Sequence, residues 1–190
     1  MGRLRQVVAI VTTVAVVGLS AACGGDNPAP STAPSPSPPE AKQSPSGEAA
    51  PVLPDGGRGR SDAAVGRFAR HYVDLINFAT RTGKTDELRG ASAPGCTSCA
   101  ALAARIAEVY KAGGTIESDG WTIIGTEVIP EQPPSREYVD MAIRQSPQQA
   151  TPARGAAVKD FPGGKQALSM TLARTGSSWS VTSLSLAERS

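Results

Sequence analysis

The sequence is poor in the residues that usually build catalytic and metal sites. Its 190 residues contain a single histidine, His71, together with three cysteines, two tryptophans, three tyrosines and three phenylalanines. One histidine excludes any mechanism that requires two. A zinc site needs about four ligands, which His71 and the two cysteines beyond residue 90 do not supply. We therefore predict no metal site and no cofactor.

The chain also lacks an excess of charge of one sign. Its formal net charge is +2, from 19 basic and 17 acidic residues, and Arg3 and Arg5 account for that difference. The rest of the chain is formally neutral, whereas nucleic-acid-binding proteins usually present a basic face. This balance argues against a nucleic-acid binder and against a charged solvating tail.

No apolar run is long enough to span a membrane. The uncharged run from Val7 to Leu19 has 13 residues, whereas a spanning helix needs about 20. A basic start, a short apolar core and the small residues that follow are the three parts of a secretory signal peptide. We therefore predict that residues 1–22 are a removable signal peptide.

The residues Ser20-Ala21-Ala22-Cys23 resemble the lipobox of bacterial lipoproteins, although the commonest form has leucine where Ser20 stands. That resemblance implies cleavage before Cys23 and acylation of its thiol with diacylglycerol, for example with palmitate chains. Two acyl chains hold a protein stably on a bilayer. We expect the mature chain to be anchored to the outer face of the cell membrane and to be extracytoplasmic. The alternative is a secreted protein in which Cys23 happens to follow the cleavage site.

Residues 23–60 have the composition of a tether. Nine prolines lie between residues 24 and 60, and every aromatic residue of the chain follows residue 60. A segment without aromatic residues buries too little apolar surface to offset the entropy of ordering it. We predict a disordered, partly polyproline-II tether after Cys23, with a fully extended length of about 115 Å.

Residues 61–190 are predicted to form one α+β domain. Apolar residues at helical spacing indicate a first helix that Ser61 caps and Gly83 ends. A short second helix follows Thr85 as its cap, and a third helix ends at Gly113. About four strands come next, with a hairpin at Gly176 and a bulge or a strand end near residue 183. The order predicts N-terminal helices packed on one face of a curved antiparallel sheet.

This element order, with the closing residues Trp179-Ser180-Val181, resembles the cystatin-like, nuclear-transport-factor-2-like superfamily, in which helices plug a cone-shaped sheet. More narrowly, the domain resembles an uncharacterised lipoprotein family of high-GC Gram-positive bacteria. The residues that carry this resemblance are the segments 72–79 (YVDLINFA) and 92–99 (SAPGCTSC) and Gly83. That family is a domain of unknown function, so the resemblance implies a fold and no activity.

Cys96 and Cys99 form the one sharp motif of the domain, Cys-Thr-Ser-Cys. In an exported protein two such thiols favour a disulfide. The closed loop is short, so the chain-entropy model gives a stabilisation of about 2 kcal/mol. The alternative is thiol–disulfide redox chemistry, because a cysteine at a helix N-terminus has a lowered pKa. Thioredoxin-type sites follow a hydrophobic strand, and residues 89–94 do not form one.

A second candidate site depends on the superfamily resemblance. Some members use an acid, a tyrosine or a histidine that lines the cone as a general acid or base. His71 and Tyr72 are the candidates for such a pocket if they point inward, whereas helical spacing places Asp74 outside. The simpler interpretation makes His71 a residue at the border of the apolar stripe and Tyr72 a core residue.

These features predict a lipid-anchored extracytoplasmic protein that is not an enzyme and that binds or scaffolds an envelope protein or a cell-wall component. One alternative is a small-molecule-binding or enzymatic pocket inside the cone, and a second is a redox protein acting through Cys96 and Cys99. The 19-residue connection Ser146–Gly164 contains a possible short strand at Ala156–Lys159. Structureless connections of that length are uncommon, so we expect this region to contact a partner.

Overall fold

A computed structural model describes residues 47–130 and 136–188. The predicted signal peptide, Cys23 and most of the predicted tether lie outside the described residues. Three helices come first: α1 (Asp62–Thr82), α2 (Asp86–Gly90) and α3 (Thr97–Lys111). Seven strands follow: β1 (Thr115–Ser118), β2 (Trp121–Pro130), β3 (Arg136–Gln145), β4 (Gln148–Thr151), β5 (Lys159–Phe161), β6 (Gly164–Thr175) and β7 (Ser178–Glu188). The predicted α+β order is confirmed.

The ends of α1 follow from its flanking residues. The Ser61 hydroxyl accepts a hydrogen bond from the Ala64 amide at 3.3 Å, and Gly83 ends the helix with a φ of 75°, which favours glycine. Thr85 precedes α2 as predicted, but its hydroxyl makes no capping bond and instead accepts a bond from Arg89 Nε. None of the helices in the described ranges is long and apolar enough to cross a membrane.

The larger sheet contains the four predicted strands in the order β2-β3-β6-β7, all antiparallel. The β6–β7 hairpin turns at Gly176, whose φ is 61°. The register of this pair shifts where Thr171 faces Ser183 and Leu172 faces Val181, so one residue of β7 is extra. Of the two alternatives predicted near residue 183, a bulge and a strand end, the structure shows the bulge.

The smaller sheet has the order β1-β4-β5. Along the chain each of its strands adjoins a strand of the larger sheet: β1 leads into β2, β3 leads into β4, and β5 leads into β6. Each continuation is broken by a short link, at residues 119–120, 146–147 and 162–163. The links contain Pro147 and Pro162, and proline cannot donate a ladder hydrogen bond. The Ser146 amide donates to the Gly120 carbonyl at 3.0 Å and joins two of the links. The strands therefore continue past the links, and β1 contacts α1 and α3.

This arrangement corrects the interpretation of residues 146–164. A single short strand was predicted at Ala156–Lys159, whereas the structure has two: β4 lies before that segment, and β5 begins at its last residue. They pair with each other and with β1. Val158 and Phe161 are exposed in this region.

The core lies between α1 and the larger sheet. The buried side of β3 alternates regularly with an exposed side, as expected for a strand with one face in the core. Leu88 of α2 and Ile106 of α3 complete the cluster. The largest fully buried side chains are Tyr72, Ile76, Leu88, Met141, Ile143, Leu168, Met170 and Leu172.

Residues 47–60, which we call the pre-helix segment, pack against this core. Leu53 contacts the buried cluster, and the carbonyl of Gly59 accepts a bond from Trp179 Nε1 at 2.7 Å. Arg174 donates to the carbonyls of Arg58 and Gly59, and its guanidinium lies 5.4 Å from the Trp179 ring centre. The folded part therefore begins before residue 61, which is the start predicted from the composition.

Candidate functional site

The Cys96–Cys99 disulfide is present and lies at the start of α3. Cys96 is the N-cap residue, and its sulfur accepts a hydrogen bond from the Cys99 amide at 3.2 Å. Only 2% of Cys96 and 1% of Cys99 is exposed to solvent. An attacking thiolate must reach a sulfur atom for exchange to occur. The burial therefore favours a structural bond over a redox centre.

Backbone hydrogen bonds hold the disulfide turn on the edge of the sheet. The Ala93 amide donates to the Val181 carbonyl, and the Val181 amide donates to the Ala91 carbonyl. The Leu184 amide donates to the Ser98 hydroxyl at 3.1 Å. The turn thereby pairs with β7 and blocks part of that sheet edge.

An open depression of about 230 Å³ lies beside the disulfide. Ser92, Pro94 and both cysteines line it, and Arg89 provides its charged side chain. A guanidinium can bind a carboxylate or a phosphate. Arg89 is exposed, however, and its Nε donates a hydrogen bond to the hydroxyl of Thr85, the residue that precedes α2. The charged side chain at this depression is therefore neither buried nor unpaired.

Tyr72 lies in the core. It is fully buried, and its hydroxyl is 2.8 Å from the Ser92 hydroxyl. Because Ser92 Oγ donates its proton to the Leu88 carbonyl, the Tyr72 hydroxyl is the donor to Ser92. Burial raises the pKa of Tyr72. This chain of bonds connects α1 to the end of α2.

His71 is 8% exposed, and its Nδ1 has no hydrogen-bond partner among the described residues. Burial lowers the pKa of His71, while the nearby Asp74 and Glu87 act in the opposite direction. Asp74 is exposed, as predicted. His71 therefore lies at the edge of the buried face, next to Tyr72 in the sequence, and the space between α1 and the sheet is filled by core side chains.

Asn77 of α1 joins this helix to the start of β2. Its Nδ2 donates to the Trp121 carbonyl at 3.0 Å, and its Oδ1 accepts from the Trp121 amide at 2.8 Å. The side chain thus bonds to β2 as a neighbouring strand would. In the sequence, only its position between Ile76 and Phe78, which are both buried, could have indicated this contact.

The described residues contain no group of three or more histidine, cysteine or acidic side chains that could hold a metal ion. A family model described as a family of unknown function, DUF6318, matches residues 31–185, which is more than half of the chain. The chain belongs to the DUF6318 family. This membership confirms the identification with a family of unknown function. The lipoprotein character and the bacterial source stay predictions.

Solved structures relate the fold of this DUF6318 member to other proteins. The intermembrane-space region of the chloroplast protein ARC6 matches with 11% identity and a TM-score of 0.51, covering 68% of this chain and 98% of that one. A structure named as a variant of Rd1NTF2_05 matches with 12% identity and a TM-score of 0.38, covering 63% and 96%. The ARC6 likeness concerns the fold alone. No curated protein matches the chain significantly.

Proposed function

We propose that this DUF6318 member is a lipid-anchored extracytoplasmic protein with a non-catalytic domain that binds or scaffolds a component of the cell envelope. The observation that carries the proposal is the filling of the inner face of the sheet by α1. Tyr72, Met141 and Leu172 are fully buried at this interface. A ligand pocket usually needs about 300 Å³ or more of concave space, so binding on the outer surface is favoured over chemistry inside the sheet.

The buried disulfide supports the extracytoplasmic part of the proposal. Structural disulfides form and persist in oxidising compartments and are rare in the cytosol. The bond between Cys96 and Cys99 fixes the turn that pairs with β7. A domain folded around such a bond is suited to the outside of the membrane, where the signal peptide and Cys23 would place it.

The anchor is tested by expressing the full chain in a bacterium that processes lipoproteins. The wild-type chain should fractionate with membranes, and mass spectrometry should show a mature N-terminal peptide that begins at Cys23 and carries diacylglycerol. Cys23→Ser should abolish this modification, because a serine hydroxyl replaces the acylated thiol. Ser20→Leu is the matched control, because it creates the commonest form of the lipobox and this variant should be fully processed.

Recovery of the wild-type chain in the medium with an unmodified first residue would contradict the anchor. So would its recovery in the cytosol with residues 1–22 attached. The non-catalytic binding role is checked separately by cross-linking in intact cells. Enrichment of a specific envelope component with the wild-type chain supports that role, and recovery of only abundant bystanders argues against it.

A further inference from the structure

The outer face of the larger sheet, which is the side turned away from α1, carries two pairs of like charges. Glu127 of β2 lies directly opposite Asp140 of β3, and Arg144 of β3 lies directly opposite Lys165 of β6. All four side chains are exposed, and none forms an ion pair with another described residue. Like charges directly opposite each other on neighbouring strands are destabilising. Within residues 47–130 and 136–188, both pairs are left unbalanced.

A row of small residues separates the acidic pair from the basic pair. The row crosses the sheet through directly paired positions: Gly125, Ala142, Ala167 and Ala187. On β3, Asp140 and Arg144 lie two residues to either side of Ala142, which is about 7 Å in each direction. Opposite charges are therefore placed at equal distances from the row.

We propose that this face docks on the same face of a second copy of the chain. A two-fold axis that runs along the row of small residues reverses the strand direction and leaves each strand opposite its own counterpart. Asp140 then faces Arg144 of the second copy, and Arg144 faces Asp140 of the second copy. Each unfavourable pair gains a neighbour of opposite sign in the same step.

The shape of the face agrees with this occupant. Packed sheets lie about 10 Å apart, and the small residues let the backbones approach each other. An open depression of about 330 Å³ is lined by Gly125, Glu127, Asp140, Ala142 and Ser169, among others. The long side chain of Arg144 from the second copy enters this depression and meets both carboxylates. A partner of one charge sign would neutralise only one of the two pairs, so a second copy fits better.

The test measures the mass of the full chain by sedimentation velocity in detergent. We expect the wild type to form a dimer when its concentration is raised to about 100 µM. Asp140→Arg and Arg144→Asp each place like charges across the two-fold axis. Each should therefore raise the dissociation constant of the dimer at least about tenfold. In a mixture of the two variants the charges are again complementary, and a heterodimer should form. Arg70→Asp, on the exposed side of α1, is the control and should leave the wild-type dimer unchanged.

Folding of the two variants is checked by their thermal unfolding. Each variant replaces a like-charge cross-strand pair by an opposite-charge pair, so its melting temperature should not fall. A wild-type chain that stays monomeric overturns the proposal. A dimer that both charge reversals leave intact, or two variants that do not associate when mixed, also overturns it. The dimer does not depend on Cys23, so its failure and the failure of the lipid anchor are distinguished.

Discussion

At the scale of single residues, His71 lies beside the core with one ring nitrogen unpaired. Its Nδ1 has no hydrogen-bond partner in the described part of the chain, and Asp74, Glu87 and Arg58 are the charged groups that act on it. The largest of these influences on its pKa is burial, which lowers it from the ordinary value of 6.5. The folded protein therefore favours the neutral imidazole.

This lowered pKa predicts an acid sensitivity of the folded state. Above about pH 6.5 the imidazole is neutral in both states, and the contribution of His71 to stability is fully present. As the pH falls, the unfolded chain binds the proton first, so this contribution is lost until the folded pKa is passed. The contribution of His71 to the free energy of unfolding falls by at most about 1.4 kcal/mol for each unit by which the pH is lowered.

The measurement is chemical denaturation of wild type and His71→Gln at about pH 7.5 and about pH 5.5. The variant should lose less stability than the wild type between the two conditions, because glutamine does not titrate. Asp74→Asn serves as the comparison, because it removes a carboxylate that raises the pKa of His71 and should therefore increase the loss of stability between the two conditions. Equal losses in wild type and His71→Gln would show that His71 does not sense this range.

At the scale of elements, the sequence predicted the long helices and strands because their patterns are local. Ser61 and Gly83 mark the ends of α1, and apolar residues at helical spacing mark the face that it buries. The strands β1, β4 and β5 were missed because they have only four, four and three residues. Such short strands are held by pairing with each other and not by a periodic apolar pattern.

The contact between α1 and β2 was also outside the reach of sequence patterns. Asn77 looks like a polar residue of a solvated helix face, yet both polar atoms of its amide bond to Trp121. Which backbone group lies beside a helix depends on the tertiary packing, and periodicity contains no information about it. The same reason explains why the bond from Trp179 to Gly59 was not predicted.

Replacement of Asn77 should separate the start of β2 from α1. Asn77→Ala leaves the amide and the carbonyl of Trp121 without their partners, so the free energy of unfolding should fall by about 1–3 kcal/mol. Asn77→Asp keeps the acceptor for the Trp121 amide but places a carboxylate oxygen against the Trp121 carbonyl, so it tests the donor side of the contact. In chemical denaturation both variants should be less stable than the wild type. Wild-type stability in Asn77→Ala would mean that the two bonds contribute nothing net.

At the scale of the whole molecule, composition predicted a tether that reaches residue 60, and contacts made far along the chain alter that boundary. The pre-helix segment has no aromatic residue of its own, but Trp179 and Arg174 of the last hairpin bind its carbonyls. Glu48 also pairs with Arg81 of α1 at 2.6 Å. This pair is about one-third exposed, and such surface pairs contribute at most about 1 kcal/mol. The order of the segment therefore comes from partners that are more than 30 residues away in sequence.

A chain that begins at residue 61 should consequently be less stable than a chain that begins at residue 47. The shorter chain lacks the Leu53 side chain on the core and leaves Trp179 Nε1 without its acceptor, so we expect a loss of roughly 1–3 kcal/mol. In the full chain, Leu53→Ala should reproduce the packing part of this loss. Val52→Ala is the control, because Val52 is 86% exposed and should change the free energy of unfolding by less than about 0.5 kcal/mol. Denaturant titration of these four proteins and of the wild-type full chain measures these differences. Equal stability of the two truncated chains would return the domain boundary to residue 61, because it would mean that the contacts of Leu53 and Gly59 add nothing to the fold.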